Sequence, residues 1–131
     1  MEATANPQPS KALKIVGWIL GILPCLMLFI SASMKFLKPP DMQQSLDHVG
    51  WRMDQATALG IVEVSVAIIY LIPRTATLGA ILIAAFMGGA VATHARVGDV
   101  FVIQILIGVL VWLGLWLRDP RLHALLPLRR P

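Results

Sequence analysis

Residues 55–73 read QATALGIVEVSVAIIYLIP, and the fold turns on this stretch. Its only charged residue is Glu63, close to the middle, with Asp54 just before the run and Arg74 just after it. At ~1.5 Å per residue, the run is about long enough to cross a hydrocarbon layer of ~30 Å as a helix. A carboxylate midway along such a span is costly unless it faces protein, water or a partner. Helical periodicity gives Glu63 a definite face. Ala56, Gly60, Glu63, Ala67 and Tyr70 recur at steps of four, three, four and three. Small residues allow close helix approach, so this stripe is predicted to look into a bundle. Leu59, Val62, Val66 and Ile69 are predicted to face lipid.

The rest of the chain agrees. It has 131 residues, of which 57% are hydrophobic and 14% charged, too apolar for a soluble domain of this size. Three further apolar runs, one before it and two after, give spans at about 15–37, 55–73, 75–95 and 100–117. The expected fold is all-α, a polytopic four-helix membrane bundle. Residues 12–118 form the membrane domain. A disordered, Ala/Pro/Gln-rich tail over 1–11 precedes it, and a basic amphipathic tail over 119–131, carrying Arg121, Arg129 and Arg130, follows it. The first span has its own small and polar stripe: Gly17, Gly21, Pro24, Leu28, Ser31 and Lys35. Its length exceeds that of a signal-peptide core, so it is read as an uncleaved helix. Met42, Leu46 and Val49 give residues 41–49 the pattern of a short helix lying in the membrane interface, with Trp51 at headgroup level. Asp54 is read as the N-cap of the second span. Asp119-Pro120 opens a second short helix after the last span. Gly88-Gly89 is read as a helix-packing site.

Antiparallel spans bring distant polar residues to one end. Ser31, Lys35, Glu63, His94 and Gln104 all fall in the same half of the bundle, and the other half carries almost no comparable group. These five are the candidate binding cluster. A carboxylate, a histidine and a lysine at one end of a bundle can hold a polar head group or relay protons. Counted from the start of its own helix, Glu63 lies roughly 13 Å deep. Lys35 is therefore expected to reach outward to the headgroups, leaving Glu63 to Ser31 or Ser33. Seven of the eleven Lys and Arg residues lie on the side of the termini, which places both termini in the cytoplasm.

No catalytic motif is present: no nucleophile–base pair, no phosphate-cradling loop and no CxxC. Whether the protein is an enzyme is left open. Glu63 and His94 alone make no metal site, so no metal is assigned. The single cysteine, Cys25, cannot form an internal disulfide and reads as a buried structural thiol. The net charge of +4 sits near the termini without interleaved aromatics. It suits anionic membrane lipid and excludes a nucleic-acid surface.

Several segments, in this order and spacing, resemble the DoxX-like family of small bacterial membrane proteins. They are Met34-Lys35-Phe36 with Pro39, Gly60-Ile61-Val62-Glu63, Ile72-Pro73-Arg74, and Met87-Gly88-Gly89-Ala90 through His94 to Gly98-Asp99. The resemblance covers about residues 14–118. It implies a four-helix bundle in the bacterial inner membrane and a non-catalytic subunit or scaffold for a quinone-linked redox partner. By the family pattern, Lys35, Glu63 and His94 are the positions to carry over. A binder or enzyme for a quinone or lipid-like molecule is the alternative. A homo-oligomer stays open, and a transporter is disfavoured because the chain shows neither repeat nor broken helix pair. No cofactor is evident beyond the quinone that the resemblance suggests.

Overall fold

The computed structural model describes residues 7–129. The first six residues of the predicted N-terminal tail, and Arg130 of the basic tail, lie outside that range. Among the described residues the chain is all-helical. Five α-helices follow in order: α1 (Lys11–Leu37), α2 (Met42–Val49), α3 (Met53–Leu71), α4 (Ala76–Arg96) and α5 (Val102–Arg118). A 3-10 turn over Pro120–Ala124 closes the series.

Helices α1, α3 and α4 are long and apolar enough to cross a membrane, and α5 is a shorter apolar helix. Their outward surfaces are apolar too. Ile19, Leu23 and Ile30 on α1, Ile61 and Ile68 on α3, Ile81 on α4 and Val109 on α5 are all exposed. A helix that is apolar all round belongs in lipid rather than at a water-facing surface. The fold is thus a membrane helical bundle.

Local chemistry sets the ends of the elements. Ser10 caps α1 through its hydroxyl, which accepts from Leu13 N–H. Lys38 adopts the left-handed conformation (φ +50) and donates its N–H to Met34 O, and Pro39-Pro40 prevents further helix. α2 stops at Gly50, whose φ of +82 suits glycine. The expected N-cap at Asp54 is corrected. α3 already begins at Met53, where Gln55 Oε1 accepts from Arg52 N–H, and Asp54 instead pairs with the Arg52 guanidinium at 2.8 Å. Asp119 does cap the turn that follows it, accepting from Arg121 N–H.

Helix α1 packs on α3 and α5, and α4 packs on the same two, so the four long helices close into a ring. At the end nearer the chain termini the ring is tight. A Cβ on Gly17 would stand 2.7 Å from Gly114 O, so α1 and α5 touch backbone to backbone. A Cβ on Gly79 would collide with the Tyr70 backbone, so α3 and α4 do the same. Cys25, Tyr70, Ile83 and Val111 fill the space between and are fully buried, with Tyr70 Oη donating to Val111 O at 2.7 Å.

The Glu63 stripe faces inward as its periodicity requires: Ala56, Gly60, Glu63, Ala67 and Tyr70 are all buried. The stripe is wider than predicted. Val66 is also buried and so does not face lipid, and the half-buried Leu59 borders a cavity. Two residues from opposite helical neighbours can both be enclosed when the helix sits between two partners, as α3 does between α1 and α4. Gly88 and Gly89 are not a packing contact. A Cβ on either would meet nothing within 4 Å, and Gly89 borders the same cavity.

Candidate functional site

At the α2 end the ring does not close on itself. It opens into a cavity of about 730 Å³ with walls from α1, α3, α4 and α5. The short helix α2 covers it. Leu46, expected in the interface, is 6% exposed because it turns inward onto the bundle. Val49 and Trp51 border the cavity with it. Two contacts tie α2 to the α4–α5 turn. His48 Nε2 lies 2.9 Å from the Asp99 carboxylate, and the Arg96 guanidinium donates to Val49 O at the C-terminus of α2. A cation there also suits the helix dipole. No periodicity in the sequence announces these contacts, since they join residues about fifty positions apart.

Ser31, Lys35, Glu63, His94 and Gln104 all line this cavity. Three of them interlock. Lys35 Nζ stands 2.9 Å from Glu63 Oε1, and their side chains are 17% and 5% exposed. Ser31 Oγ donates to the same oxygen at 3.1 Å and accepts from Lys35 Nζ at 2.6 Å. Ser31 and Lys35 are four residues apart on α1, so they share one face. Ser33 points elsewhere, donating to Ile30 O.

The outward reach expected of Lys35 is therefore corrected, and the reason is register. A Cβ on Gly60 would lie 2.8 Å from the Phe36 ring and 3.4 Å from Ala32 O, so Gly60 is level with the last turns of α1. The first turns of α3 overshoot the end of α1. Depth counted from the start of α3 thus overstates the separation of Glu63 from Lys35.

His94 and Gln104 stand apart from this triad. His94 Nδ1 is 2.8 Å from Ala90 O, and because a carbonyl only accepts, Nδ1 carries the proton in that contact. Gln104 Oε1 is buried without a hydrogen-bond partner, as is Glu63 Oε2. The remaining walls are apolar, with Leu28, Phe86, Met87 and Ile107 among them. The arrangement is an apolar chamber with a polar wall at one level. Among the described residues, no group of three or more metal-ligating side chains is assembled.

Sequence reasoning missed one polar feature at the opposite end. The Arg118 guanidinium lies 3.8 Å from the Trp18 ring centre and 4.9 Å from that of Tyr70. Both terminal nitrogens are buried without a hydrogen-bond partner, so the aromatic faces are its principal attraction. The one available signal was an arginine ending a span beside the tight Gly17–Gly114 contact.

The sequence profile of the DoxX-like family matches residues 19–117. This is most of the chain and includes every candidate site residue. No curated protein and no solved structure matches significantly. The chain belongs to the DoxX-like family, and it is a helical membrane protein.

Proposed function

From membership of the DoxX-like family and the form of the cavity, we propose that this protein binds one small amphiphilic molecule of quinone or lipid-like type. The cavity carries the reading. Its volume falls within the ~300–1,000 Å³ usual for small-molecule sites, and apolar walls with a few convergent polar groups are their usual composition. A thermal-shift series in detergent or nanodiscs with short-chain quinones and fatty alcohols tests it. Stabilisation is expected in the native protein and not in Ala90→Phe, which places a ring in the cavity. Equal shifts in both proteins would refute binding at this site.

A second reading is a non-catalytic subunit or scaffold for a quinone-linked redox partner. What the resemblance implies supports it, together with the absence of a catalytic motif from the sequence. Affinity capture from mild detergent should recover a redox protein with the chain. Recovery of this chain alone under every growth condition tried would remove that reading. Either role fits a multi-pass protein of the bacterial inner membrane with both termini cytoplasmic, an orientation supported by the Lys and Arg bias. Cysteines at positions 44 or 47 should then react with an external impermeant reagent, and one at position 128 should not.

A further inference from the structure

The polar wall of the cavity is unbalanced in hydrogen-bonding terms, and the imbalance indicates what kind of head group it takes. Glu63 Oε1 is saturated by Lys35 and Ser31. Glu63 Oε2, on the α3 side, is buried without a partner on a side chain that is 5% exposed. Gln104 Oε1, on the α5 side, is likewise buried and unpaired. Both residues line the cavity. Buried acceptors left without donors are costly, so native structures nearly always satisfy them. From this we infer that the cavity takes a neutral amphiphile whose head carries a hydroxyl group, which donates to Glu63 Oε2 or Gln104 Oε1 while its apolar body lies along Leu28, Phe86 and Ile107. The inference rests on the binding reading above and narrows it to quinols, phenols and alcohols, since an oxidised quinone head carries acceptors only and should bind more weakly.

Charge decides against ionic heads. The Lys35–Glu63 salt bridge already neutralises the site. An anionic head would meet two lone-pair-bearing oxygens, and the nearest cation is engaged with Glu63. A cationic head would be brought up to the Lys35 ammonium. A head with acceptors only, such as an ether, leaves both orphaned oxygens unpaired. A hydroxyl satisfies one of them without adding charge.

The test uses the full chain in lipid nanodiscs at pH 7, with empty nanodiscs as blank. The probes are 4-octylphenol, 4-octylanisole and 4-octylbenzoate, which share a body and differ in the head. The phenol is expected to bind about tenfold or more tightly than the anisole, as for a buried acceptor that only one of them satisfies. The benzoate is expected to bind more weakly than the phenol. In Gln104→Met or Glu63→Gln, which remove or replace one orphaned acceptor, the preference for phenol over anisole should shrink severalfold. Equal affinity of phenol and anisole in the native protein, with both lost in Ala90→Phe, would overturn the hydroxyl inference and leave the binding reading standing. Absence of binding by all three probes would overturn both. If the variants do not fold, the comparison in the native protein still decides.

Discussion

Lys35 Nζ and Glu63 Oε1 meet at 2.9 Å across the α1–α3 interface, and the two groups differ in their freedom to leave. Lys35 lies two residues from the end of α1 and is 17% exposed, so its ammonium can swing to the surface if released. Glu63 is held in mid-helix and 5% exposed, so its carboxylate cannot. Removing one partner of a buried ion pair costs ~3–5 kcal/mol when the other charge stays buried. Lys35→Met should therefore lower the thermal unfolding midpoint markedly. Glu63→Leu should fold and insert with a much smaller loss, near the ~0.6 kcal/mol average of a membrane hydrogen bond. Lys35→Met combined with Glu63→Leu should recover most of the loss. A Glu63→Leu protein less stable than Lys35→Met would contradict this account.

The glycines divide into two groups with opposite expected effects. Gly114→Ala would place a methyl group 2.7 Å from Gly17 O and Gly21 N, and Gly79→Ala would drive one into the Tyr70 backbone. Backbone cannot move aside as a flexible side chain can, so overpacking should cost ~1–3 kcal/mol at each position. Gly88→Ala and Gly108→Ala meet nothing within 4 Å. They should be neutral or stabilising by up to ~1 kcal/mol through helix propensity. Unfolding midpoints of the four variants in one detergent check the contrast. A destabilised Gly108→Ala would mean that this face packs against another molecule.

Much of this was legible because helical period and small residues encode a face. The stripe from Ala56 to Tyr70 pointed inward, and Ser31 and Lys35 lay on the first span's inner stripe. What was not legible is how far one helix slides along another. The overshoot of α3 past α1 depends on Phe36 lying against Gly60, a contact with no local sequence signal. For that reason the five candidate residues could be placed in one half of the bundle, but the Lys35–Glu63 salt bridge could not be foreseen. The folding of α2 over the cavity was hidden similarly. An amphipathic eight-residue helix looks the same in sequence whether its apolar side meets lipid or protein.

Acid should loosen the C-terminal turn over a narrow range. The Arg121 guanidinium beside Asp119 holds its carboxyl below the usual carboxylate range, against the opposing effect of partial burial. A carboxyl depressed in the folded state stabilises fully above its unfolded pKa, about 3.9, and that contribution is lost as pH falls through the folded value. The turn Pro120–Ala124, with the His123 ring centre 4.1 Å from that of Trp116, should stay docked from neutral pH to about pH 4 and loosen below. Tryptophan emission across an acid titration, compared with Asp119→Asn, reads this. The variant should lack the transition and be looser at pH 7. A transition in the native protein centred above pH 5 would exclude Asp119 as its cause.

The two ties on α2 should contribute unequally to keeping the cavity covered. The His48–Asp99 contact is solvent-exposed, with His48 56% exposed, and such pairs are worth ~0–1 kcal/mol. The Arg96 guanidinium bonds a carbonyl at the C-terminus of α2, and a hydrogen bond to a charged group is worth ~1.5–3 kcal/mol when shielded, less when exposed. Met87 on α4 lines the cavity and is buried, so a cysteine placed there reports uncovering. Native Cys25 is 0% exposed and should add little background. In Met87→Cys protein, Asp99→Ala should raise the rate of thiol labelling no more than about fivefold, the equivalent of ~1 kcal/mol. Arg96→Met should raise it more. The two together should exceed either alone, since they hold adjacent residues, His48 and Val49, of the last turn of one short helix. If neither change alters the rate, the burial of Leu46 alone holds α2 in place, and Leu46→Ala should then produce the increase that the ties do not.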